Sequence, residues 1–261
     1  MNEAAHWLEV AQHTAIAAGA LLRSRWQEAH TLHFKGPRNV VTEADLASEQ
    51  LITERLHAAF PHHTIIGEEQ GRMPGSDTVH WLIDPLDGTT NFSRHHPTFC
   101  LSIAAVVAGQ PIVGVIHDPL RGHTFAAQRG CGATLNGAPL HTAETTTLEQ
   151  AICAVDWPRD NARRQQLGQL CIRLLGEIRT LRALGSAALG MAYVAAGWLD
   201  LYFALQLSPW DQAASGLLVQ EAGGATRTFS GDPWTPQASA PIMSATPALL
   251  EAFQARLAEE N

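Results

Sequence analysis

The chain has 261 residues, of which 46% are hydrophobic, so it is long and apolar enough to bury a core and too apolar for a disordered chain. Its 17 basic and 25 acidic residues give a formal net charge of −8 at pH 7. This balance argues against general affinity for nucleic acid or anionic lipid, because both attract clustered Lys and Arg. An anionic substrate stays compatible, since bound metal ions reverse a local field.

Targeting and membrane signals are missing from the sequence. No apolar run reaches the roughly 18 residues that favour a membrane span, and the first residues lack the basic and apolar regions of a signal peptide. The four cysteines show neither metal-binding nor disulfide spacing. We expect a cytoplasmic protein that neither crosses a membrane nor binds nucleic acid directly.

The first 60 residues predict two helices separated by a short strand. A stripe of small apolar residues predicts a helix over residues 3–28, and Leu32–Lys35 favours a strand. A second helix is expected over residues 43–60. Thr42, followed three residues later by Asp45, has the form of a capping box at its start.

Residues 64–140 predict an antiparallel meander, because short turns separate runs of residues that favour strands. The expected strands are Thr64–Gly67, His80–Ile83, Thr98–Ala108, Pro111–His117 and His123–Gln128. Asn136-Gly137 is typical of a tight hairpin. Pro85 is expected to end the second strand, since proline has no N–H for the ladder.

The remainder of the chain predicts alternating strands and helices. Strands are expected at 152–155, 178–181, 199–205, 225–229 and 241–244, and helices at 161–176, 187–196, 210–222 and 247–260. We therefore predict an α/β chain with an antiparallel-sheet lobe over residues 1–145 and an α/β lobe over residues 146–261.

Acidic residues follow an apolar strand in the segment Trp81–Phe92, where Asp84 and Asp87 precede the run Gly88–Asn91. That run can open a helix or a tight turn whose backbone N–H groups would donate hydrogen bonds to a phosphate. Two carboxylates beside a phosphate would repel it unless cations lay between them. Carboxylate oxygens are hard ligands that suit Mg²⁺.

Further acids stand at comparable places. The pair Glu68-Glu69 follows an apolar stretch, and Asp45 and Asp211 each begin a helix. Taken singly, the pair also fits a solvated turn, and the two aspartates also fit helix caps. The combination of four such segments favours a shared metal site.

Other phosphate-handling motifs do not fit the spacing. Phosphatases with a nucleophilic aspartate of the haloacid dehalogenase type carry Asp-x-Asp-x-Thr, whereas two residues separate Asp84 from Asp87 here. The sequence contains neither a Gly-x-Ser-x-Gly elbow nor a Walker loop.

Four segments resemble the signatures of the inositol monophosphatase family, whose members are magnesium-dependent, lithium-sensitive phosphatases. They are Val41–Asp45, Ile65–Glu69, Trp81–Phe92 and Trp210–Gly224. The resemblance implies a layered αβαβα sugar-phosphatase fold, a homodimer and two to three Mg²⁺ ions. It also implies hydrolysis of a small polyol or sugar phosphate, such as inositol 1-phosphate, by metal-activated water.

The resemblance also assigns roles to individual residues. The implied magnesium ligands are Glu68, Asp84, the backbone carbonyl of Leu86, Asp87 and Asp211. The implied catalytic residues are Thr89, Asp45 and Glu69. Thr89 would position the attacking water, Asp45 would orient Thr89, and Glu69 would lie behind the residues that bind the metal. The implied substrate contacts are Asp87, Gly88, Thr89, Ser186, Ala187 and Asp211, and Lys35 is implied to lie near the metal cluster.

Two positions depart from the family pattern. Ala204 stands where inositol-hydrolysing relatives usually have a Glu that contacts the sugar. Histidinol phosphate, fructose bisphosphate and a nucleotide 3′-phosphate are therefore alternative substrates. Arg94 replaces a usual His and fits either a surface residue or a contact to a second anionic group. A regulatory binding protein on the same fold, such as a transcription-complex partner, is the alternative of a different class.

Overall fold

A computed structural model describes residues 3–28, 32–36, 39–76 and 78–258. The helices are α1 (Glu3–Arg25), α2 (Glu43–Ala59), α3 (Thr89–Ser93), α4 (Asn161–Leu174), α5 (Ala187–Ala195), α6 (Pro209–Glu221) and α7 (Pro247–Ala258). The first strands are β1 (Leu32–Gly36), β2 (Asn39–Thr42), β3 (Thr64–Gly67), β4 (Gly71–Met73), β5 (Val79–Asp87), β6 (Cys100–Val107), β7 (Gln110–Asp118) and β8 (His123–Gln128). They are followed by β9 (Ala133–Leu135), β10 (Ala138–Pro139), β11 (Ile152–Asp156), β12 (Thr180–Ala183), β13 (Leu201–Ala204), β14 (Ala225–Thr228) and β15 (Pro241–Ser244).

One sheet of eight strands has the order β10-β9-β8-β7-β6-β5-β3-β4. The predicted meander is confirmed for β5 to β10, which pair antiparallel in chain order. It is wrong for its first strand: β3 pairs parallel with β5, because β4 pairs antiparallel with β3 and reverses the chain before β5 begins. Asn136 and Gly137 link β9 to β10 with positive φ angles of 50° and 83°, as a tight hairpin requires. The strand predicted at Leu32–Lys35 is confirmed as β1, whereas its antiparallel partner β2 and the edge strand β4 were not predicted.

The expectation that Pro85 ends its strand is wrong. Strand β5 continues to Asp87, with a register shift in its pairing to β6 between Asp84 and Asp87. The pairing of β5 with β3 stops at Ile83, so Pro85 lies where β5 has lost one neighbour and the ladder is irregular. Proline is tolerated at such edge and bulge positions. The consequence is that Asp84 and Asp87 both lie on an irregular strand end.

The second sheet has five strands in the order β12-β11-β13-β15-β14. Strand β11 pairs parallel with β12 and β13, and β15 pairs antiparallel with β13 and β14. The strand expected at 178–181 lies two residues later, at Thr180–Ala183.

Alternating side chains show that helices cover both faces of each sheet. In β5, Trp81 and Ile83 pack with α1 and α2, whereas Leu82 packs with α5 and α6. In β13, Tyr202 joins the α5 and α6 side, whereas Phe203 packs with α4 and α7. The layered αβαβα architecture is therefore confirmed, with α5 and α6 between the two sheets.

The central layer fits tightly against the larger sheet. A Cβ atom on Gly114 of β7 would lie 2.7 Å from the Cα atom of Ala214 in α6, so this contact requires a glycine. Because α5 and α6 belong to the second half of the chain but help to cover the first sheet, the halves share a core. The division into two lobes at residue 145 stays a prediction.

Two further features of the fold concern its helices and its cysteines. Within the described residues, no helix has the length and apolar character that crossing a membrane demands. The four cysteines are all free thiols, and Cys100, Cys153 and Cys171 are buried.

Candidate active site

A cavity of about 550 Å³ lies where the ends of β5, β11 and β13 meet the starts of α3 and α6. In sheets with parallel strands, ligands bind beyond the carboxyl ends of the strands. Most of the residues predicted for the site line this cavity: Glu68, Asp84, Leu86, Asp87, Gly88, Thr89, Ala187 and Asp211. The fold thus brings together segments that are up to 143 residues apart in sequence, from Glu68 to Asp211.

Three carboxylates form a compact group within the cavity. Glu68, Asp84 and Asp211 each offer one oxygen, and these atoms all lie within 4.8 Å of one another. Glu68 follows β3, Asp84 lies in β5, and Asp211 lies in the first turn of α6. Asp211 also accepts a hydrogen bond from the Ser208 backbone N–H at 2.7 Å. It therefore caps the helix and joins the acidic group at the same time.

Burial and mutual repulsion destabilise the charged form of this group. Burial is the largest cause that raises the pKa of Asp84 well above its usual value, followed by the charges of Glu68, Asp87 and Asp211. Burial, then Glu68 and Asp87, likewise raises the pKa of Asp211. Divalent cations would remove this repulsion, and hard oxygen donors in this number suit Mg²⁺. The residues therefore fit the metal site that the sequence predicts.

Asp87 adjoins the group but is held differently. Its Oδ2 atom accepts hydrogen bonds from the Ser186 hydroxyl at 2.6 Å and from the Ala188 backbone N–H at 2.7 Å. The Cys100 thiol lies 3.7 Å from the same oxygen. Burial is the largest cause that raises the pKa of Asp87, and these hydrogen bonds oppose it. Ser186 is 1% exposed, so its hydroxyl positions Asp87 from below the cavity surface.

Thr89 contacts Asp45, as the family resemblance implies. The Thr89 hydroxyl lies 2.9 Å from Asp45 Oδ1 and 3.1 Å from the Leu86 carbonyl oxygen. Either oxygen can accept a hydrogen bond from this hydroxyl. The other Asp45 oxygen accepts from the Thr42 backbone N–H at 2.9 Å and the Thr42 hydroxyl at 2.6 Å, which confirms the capping box of α2. Burial raises the pKa of Asp45 to about 7, although its hydrogen bonds oppose the shift.

Gly88 precedes α3 in a backbone conformation that favours glycine. Its φ is 99°, and a Cβ atom there would lie 3.0 Å from the Thr98 carbonyl oxygen and 3.2 Å from that of Gly185. The loop before α5 is thereby brought against the start of α3. Asn91 reinforces the contact by donating to the Leu184 carbonyl oxygen at 2.9 Å.

Glu69 does not line the cavity, and its backbone is held by Glu49, a residue that the sequence analysis missed. The Glu49 carboxylate accepts hydrogen bonds from the backbone N–H groups of Glu69 at 2.8 Å and Gln70 at 2.6 Å. Glu49 is 1% exposed, and burial raises its pKa. In the sequence Glu49 resembles an ordinary helical residue, so only the fold shows its contact with this turn.

Asp156 at the end of β11 also lines the cavity and was missed. It accepts hydrogen bonds from the Gly185 backbone N–H at 3.0 Å and the Tyr202 hydroxyl at 3.1 Å. Burial, followed by the charge of Asp87, raises its pKa to about 7. The signal was present in the sequence, because Asp156 directly follows the apolar run 152–155, as Asp84 follows the apolar run 81–83.

The other residues that the sequence analysis singled out do not line the cavity, or their side chains are not among those that the structure describes. Arg94 is exposed at the end of α3 and does not line the cavity. Ala204 is fully buried, and the following residues Gln206, Leu207 and Ser208 line the cavity instead. The side chain of Lys35 lies outside the described part of the structure.

Comparisons with known proteins agree with this geometry. A profile of the inositol monophosphatase family matches residues 3–261. The Nus factor SuhB of Escherichia coli (strain K12) is 38% identical over 260 residues, covering 97% of this chain and 96% of that protein. The inositol-1-monophosphatase of Synechocystis is 36% identical over 231 residues, covering 87% and 80%. The crystal structure of the suhB protein from Bartonella henselae superposes with a TM-score of 0.92 at 31% identity, covering 97% and 98%.

Proposed function

Since the chain belongs to the inositol monophosphatase family, we propose that it is a magnesium-dependent phosphomonoesterase acting on a small phosphorylated alcohol. The observation that carries this proposal is the convergence of Glu68, Asp84 and Asp211 within 4.8 Å in a cavity that also contains Thr89. Four-carboxylate sites of this kind, completed here by Asp87, need divalent cations to accept a phosphate. The family match supports the same chemistry.

The proposed ligands of two to three Mg²⁺ ions are Glu68, Asp84, the Leu86 carbonyl, Asp87 and Asp211. Bound Mg²⁺ supplies charge stabilisation for the phosphoryl group and acidifies water. The chain's contribution is to fix the carboxylates: Leu86 N–H donates to Asp84 at 3.0 Å, and Ser186 holds Asp87. These hydrogen bonds hold the carboxylates of Asp84 and Asp87 in position, although burial removes water from around them.

Thr89 and Asp45 position the attacking water in this proposal. Asp45 accepts a hydrogen bond from the Thr89 hydroxyl. This directs a lone pair of the Thr89 oxygen towards the cavity, where it can accept a hydrogen bond from water. A carboxyl group whose pKa is about 7 can take up a proton near neutral pH. Thr89 can therefore relay a proton from the water to Asp45, with Glu69 as a further charge close to Asp45.

Substrate is held by backbone and small side chains. The N–H groups of Gly88 and Thr89 bind the phosphate, and Ala187 with the Ser186 loop contacts the alcohol part. Ala204 provides no carboxylate for a polyol hydroxyl, so inositol 1-phosphate is one candidate beside histidinol phosphate, fructose bisphosphate and a nucleotide 3′-phosphate. Hydrolysis breaks the P–O ester bond, water supplies the new P–O bond, and the alcohol leaves with a proton.

Phosphate release across these esters tests the proposal. It is measured with the purified protein in Mg²⁺, in EDTA, and in Mg²⁺ with added Li⁺. Release that requires Mg²⁺ and falls with Li⁺ is expected for at least one ester. No release from any ester in Mg²⁺ would contradict the proposal.

A regulatory binding role is a second candidate, because one relative carries the name Nus factor. The retained acidic group favours catalysis as the primary function. A protein that hydrolyses none of the esters but retains a macromolecular partner in a pull-down would favour the regulatory role instead.

A cytoplasmic location and a homodimer complete the proposal, both on the strength of the family resemblance. Sedimentation of the purified protein tests the dimer: a mass near twice 28.2 kDa is expected.

A further inference from the structure

One wall of the cavity carries positive charge that the proposed phosphate chemistry does not use. The segment after β11 places Trp157, Pro158 and Arg159 on this wall, and the first turns of α4 add Arg164. The other charged residues that line the cavity are all acids. The two arginines are therefore its only cationic lining among the residues that the structure describes.

Arg159 stands at the boundary between the acidic group and the open part of the cavity. Its Nη2 atom lies 3.3 Å from Glu68 Oε1, yet the Arg159 side chain is 58% exposed. Because the Arg159 side chain is exposed and lines the cavity, its guanidinium can donate to an anion of a bound ligand while it stays beside Glu68.

Arg164 is held in place more firmly. Its Nη1 atom donates to the Pro158 carbonyl oxygen at 3.1 Å, and its Cζ atom lies 5.6 Å from the centroid of the Trp157 ring. A guanidinium has five N–H donors, so this arrangement fixes the group and leaves donors for a ligand. Trp157 is itself 43% exposed, and its indole offers an apolar surface to a carbon skeleton.

The polar groups elsewhere on the cavity wall do not favour a neutral polyol in particular. Asp156 is engaged by Gly185 and Tyr202, and the segment after β13 offers the amide of Gln206 and the hydroxyl of Ser208 but no carboxylate. A cationic amine would be repelled by two guanidinium groups. A second anion would be attracted, and the planar forks of arginine match the oxygens of carboxylate or phosphate.

We infer that this wall selects phosphate monoesters whose alcohol part carries a second anionic group, bound by Arg159 and Arg164 with the carbon skeleton against Trp157. The inference rests on the proposed function and narrows its substrate class. It concerns recognition of the leaving alcohol, whereas the acidic group concerns the phosphate that is removed.

Matched pairs of esters test the inference. The first pair is 2-phosphoglycerate against glycerol 2-phosphate, and the second is fructose 1,6-bisphosphate against fructose 1-phosphate. For the native protein, kcat/KM is expected to be about tenfold higher for the member with the additional anion, as one charged hydrogen bond would give. Arg159→Gln and Arg164→Gln are each expected to reduce this ratio several-fold.

The quantity to compare is the ratio of the two kcat/KM values within each pair. Arg159 also contacts Glu68, so its substitution can alter activity on every ester, but such a general effect cancels in the ratio. Arg163→Gln is the matched control: Arg163 is adjacent in sequence, pairs with Asp160 at 3.4 Å and does not line the cavity. Its ratio is expected to equal that of the native protein. Calorimetry in Mg²⁺ on the Asp45→Asn protein gives the dissociation constants of the same compounds. Because this variant is expected to hydrolyse them slowly, the ratio of dissociation constants within each pair can be measured before the ester is consumed.

A preference for the member with the additional anion in both pairs supports the inference. A preference in one pair alone also supports it, and shows whether the wall binds a carboxylate (first pair) or a phosphate (second pair). Equal values in both pairs, or a ratio that survives both arginine substitutions, would overturn it. If no ester is hydrolysed, the proposed function fails, and the ratio of dissociation constants still decides the inference. If glycerol 2-phosphate is hydrolysed without any anion preference, the inference alone fails.

Discussion

The carboxyl group of Glu49 occupies the space in which a side chain on Gly67 would lie. Because Gly67 has no Cβ atom, Glu49 reaches from α2 to the turn after β3 and binds the backbone N–H groups of Glu69 and Gln70. Glu68 begins this turn and belongs to the acidic group. A buried carboxylate outside the cavity thus fixes the position of a proposed metal ligand.

Gly67→Ala is therefore expected to impair both stability and metal affinity. The added methyl group must displace the Glu49 carboxylate, and overpacking of this kind costs about 1–3 kcal/mol. The Mg²⁺ concentration for half-maximal activity should rise because Glu68 loses its fixed position. Urea unfolding and a Mg²⁺ titration of phosphate release measure the two effects.

Gly168→Ala provides the control for this substitution. Gly168 lies within α4, and a Cβ atom there meets nothing within 4 Å. Alanine in a helix is expected to stabilise the protein by up to about 1 kcal/mol, with the Mg²⁺ requirement unchanged. A Gly67→Ala protein that is destabilised but keeps the native Mg²⁺ requirement would disprove the link between Glu49 and the metal site.

Asp84→Asn should abolish activity without unfolding the protein. The substitution removes a central charge from the acidic group but keeps the shape of the side chain, so turnover should fall on the order of 10³-fold or more. Mg²⁺ should raise the Tm of the native protein, because it binds only the folded state, and this rise should be much smaller in the variant. Asp160→Asn, which replaces an exposed helix cap outside the cavity, should behave like the native protein in both assays.

Asp45→Asn should slow turnover but keep the Mg²⁺ requirement. Asp45 orients Thr89 and is not a member of the acidic group, so kcat should fall about 10²-fold while half-saturation by Mg²⁺ changes little. Thr89→Ala should lose a similar factor. The double variant should be hardly slower than either single one, because residues that act as a unit are not additive. Independent, multiplicative losses would contradict the relay.

Asp156→Asn should stabilise the protein increasingly as the pH rises. Burial raises the pKa of Asp156 from 3.8 to about 7, so between these values the unfolded chain has lost the proton that the folded protein retains. The free energy of unfolding contributed by this group therefore falls from about pH 4 to pH 7 and stays low above it.

An asparagine does not ionise and can keep the contacts to Gly185 and Tyr202. The difference in unfolding free energy between variant and native protein should thus grow over this pH range, to the order of a few kcal/mol. Chemical unfolding in EDTA at several pH values measures it. A constant difference from pH 4 to pH 8 would show that Asp156 is not destabilised by burial of its charge.

The strongest sequence signals concern local chemistry. Thr42 and Asp45 formed the predicted capping box because side chain and backbone lie three residues apart. Asn136-Gly137 made the predicted hairpin because both residues tolerate positive φ. The acids of the site were identifiable because each follows an apolar stretch or begins a helix.

Other features depend on contacts that are distant in sequence. Strand β5 passes Pro85 because β3 no longer pairs with it there, and no local pattern shows where a neighbour ends. Glu49 acts on a turn twenty residues away. The positive wall arises because Arg159 and Arg164 follow β11, whose place in the sheet is set by parallel pairing with β12 and β13.

Anomalous diffraction from crystals soaked in Mn²⁺, a substitute for Mg²⁺ with the same preference for oxygen ligands, tests the metal site most directly. We expect anomalous peaks bounded by the carboxylate oxygens of Glu68, Asp84 and Asp211, and no peak there in crystals of the Asp84→Asn protein. Ordered crystals in which Mn²⁺ binds elsewhere and leaves these three carboxylates without a peak would contradict the account.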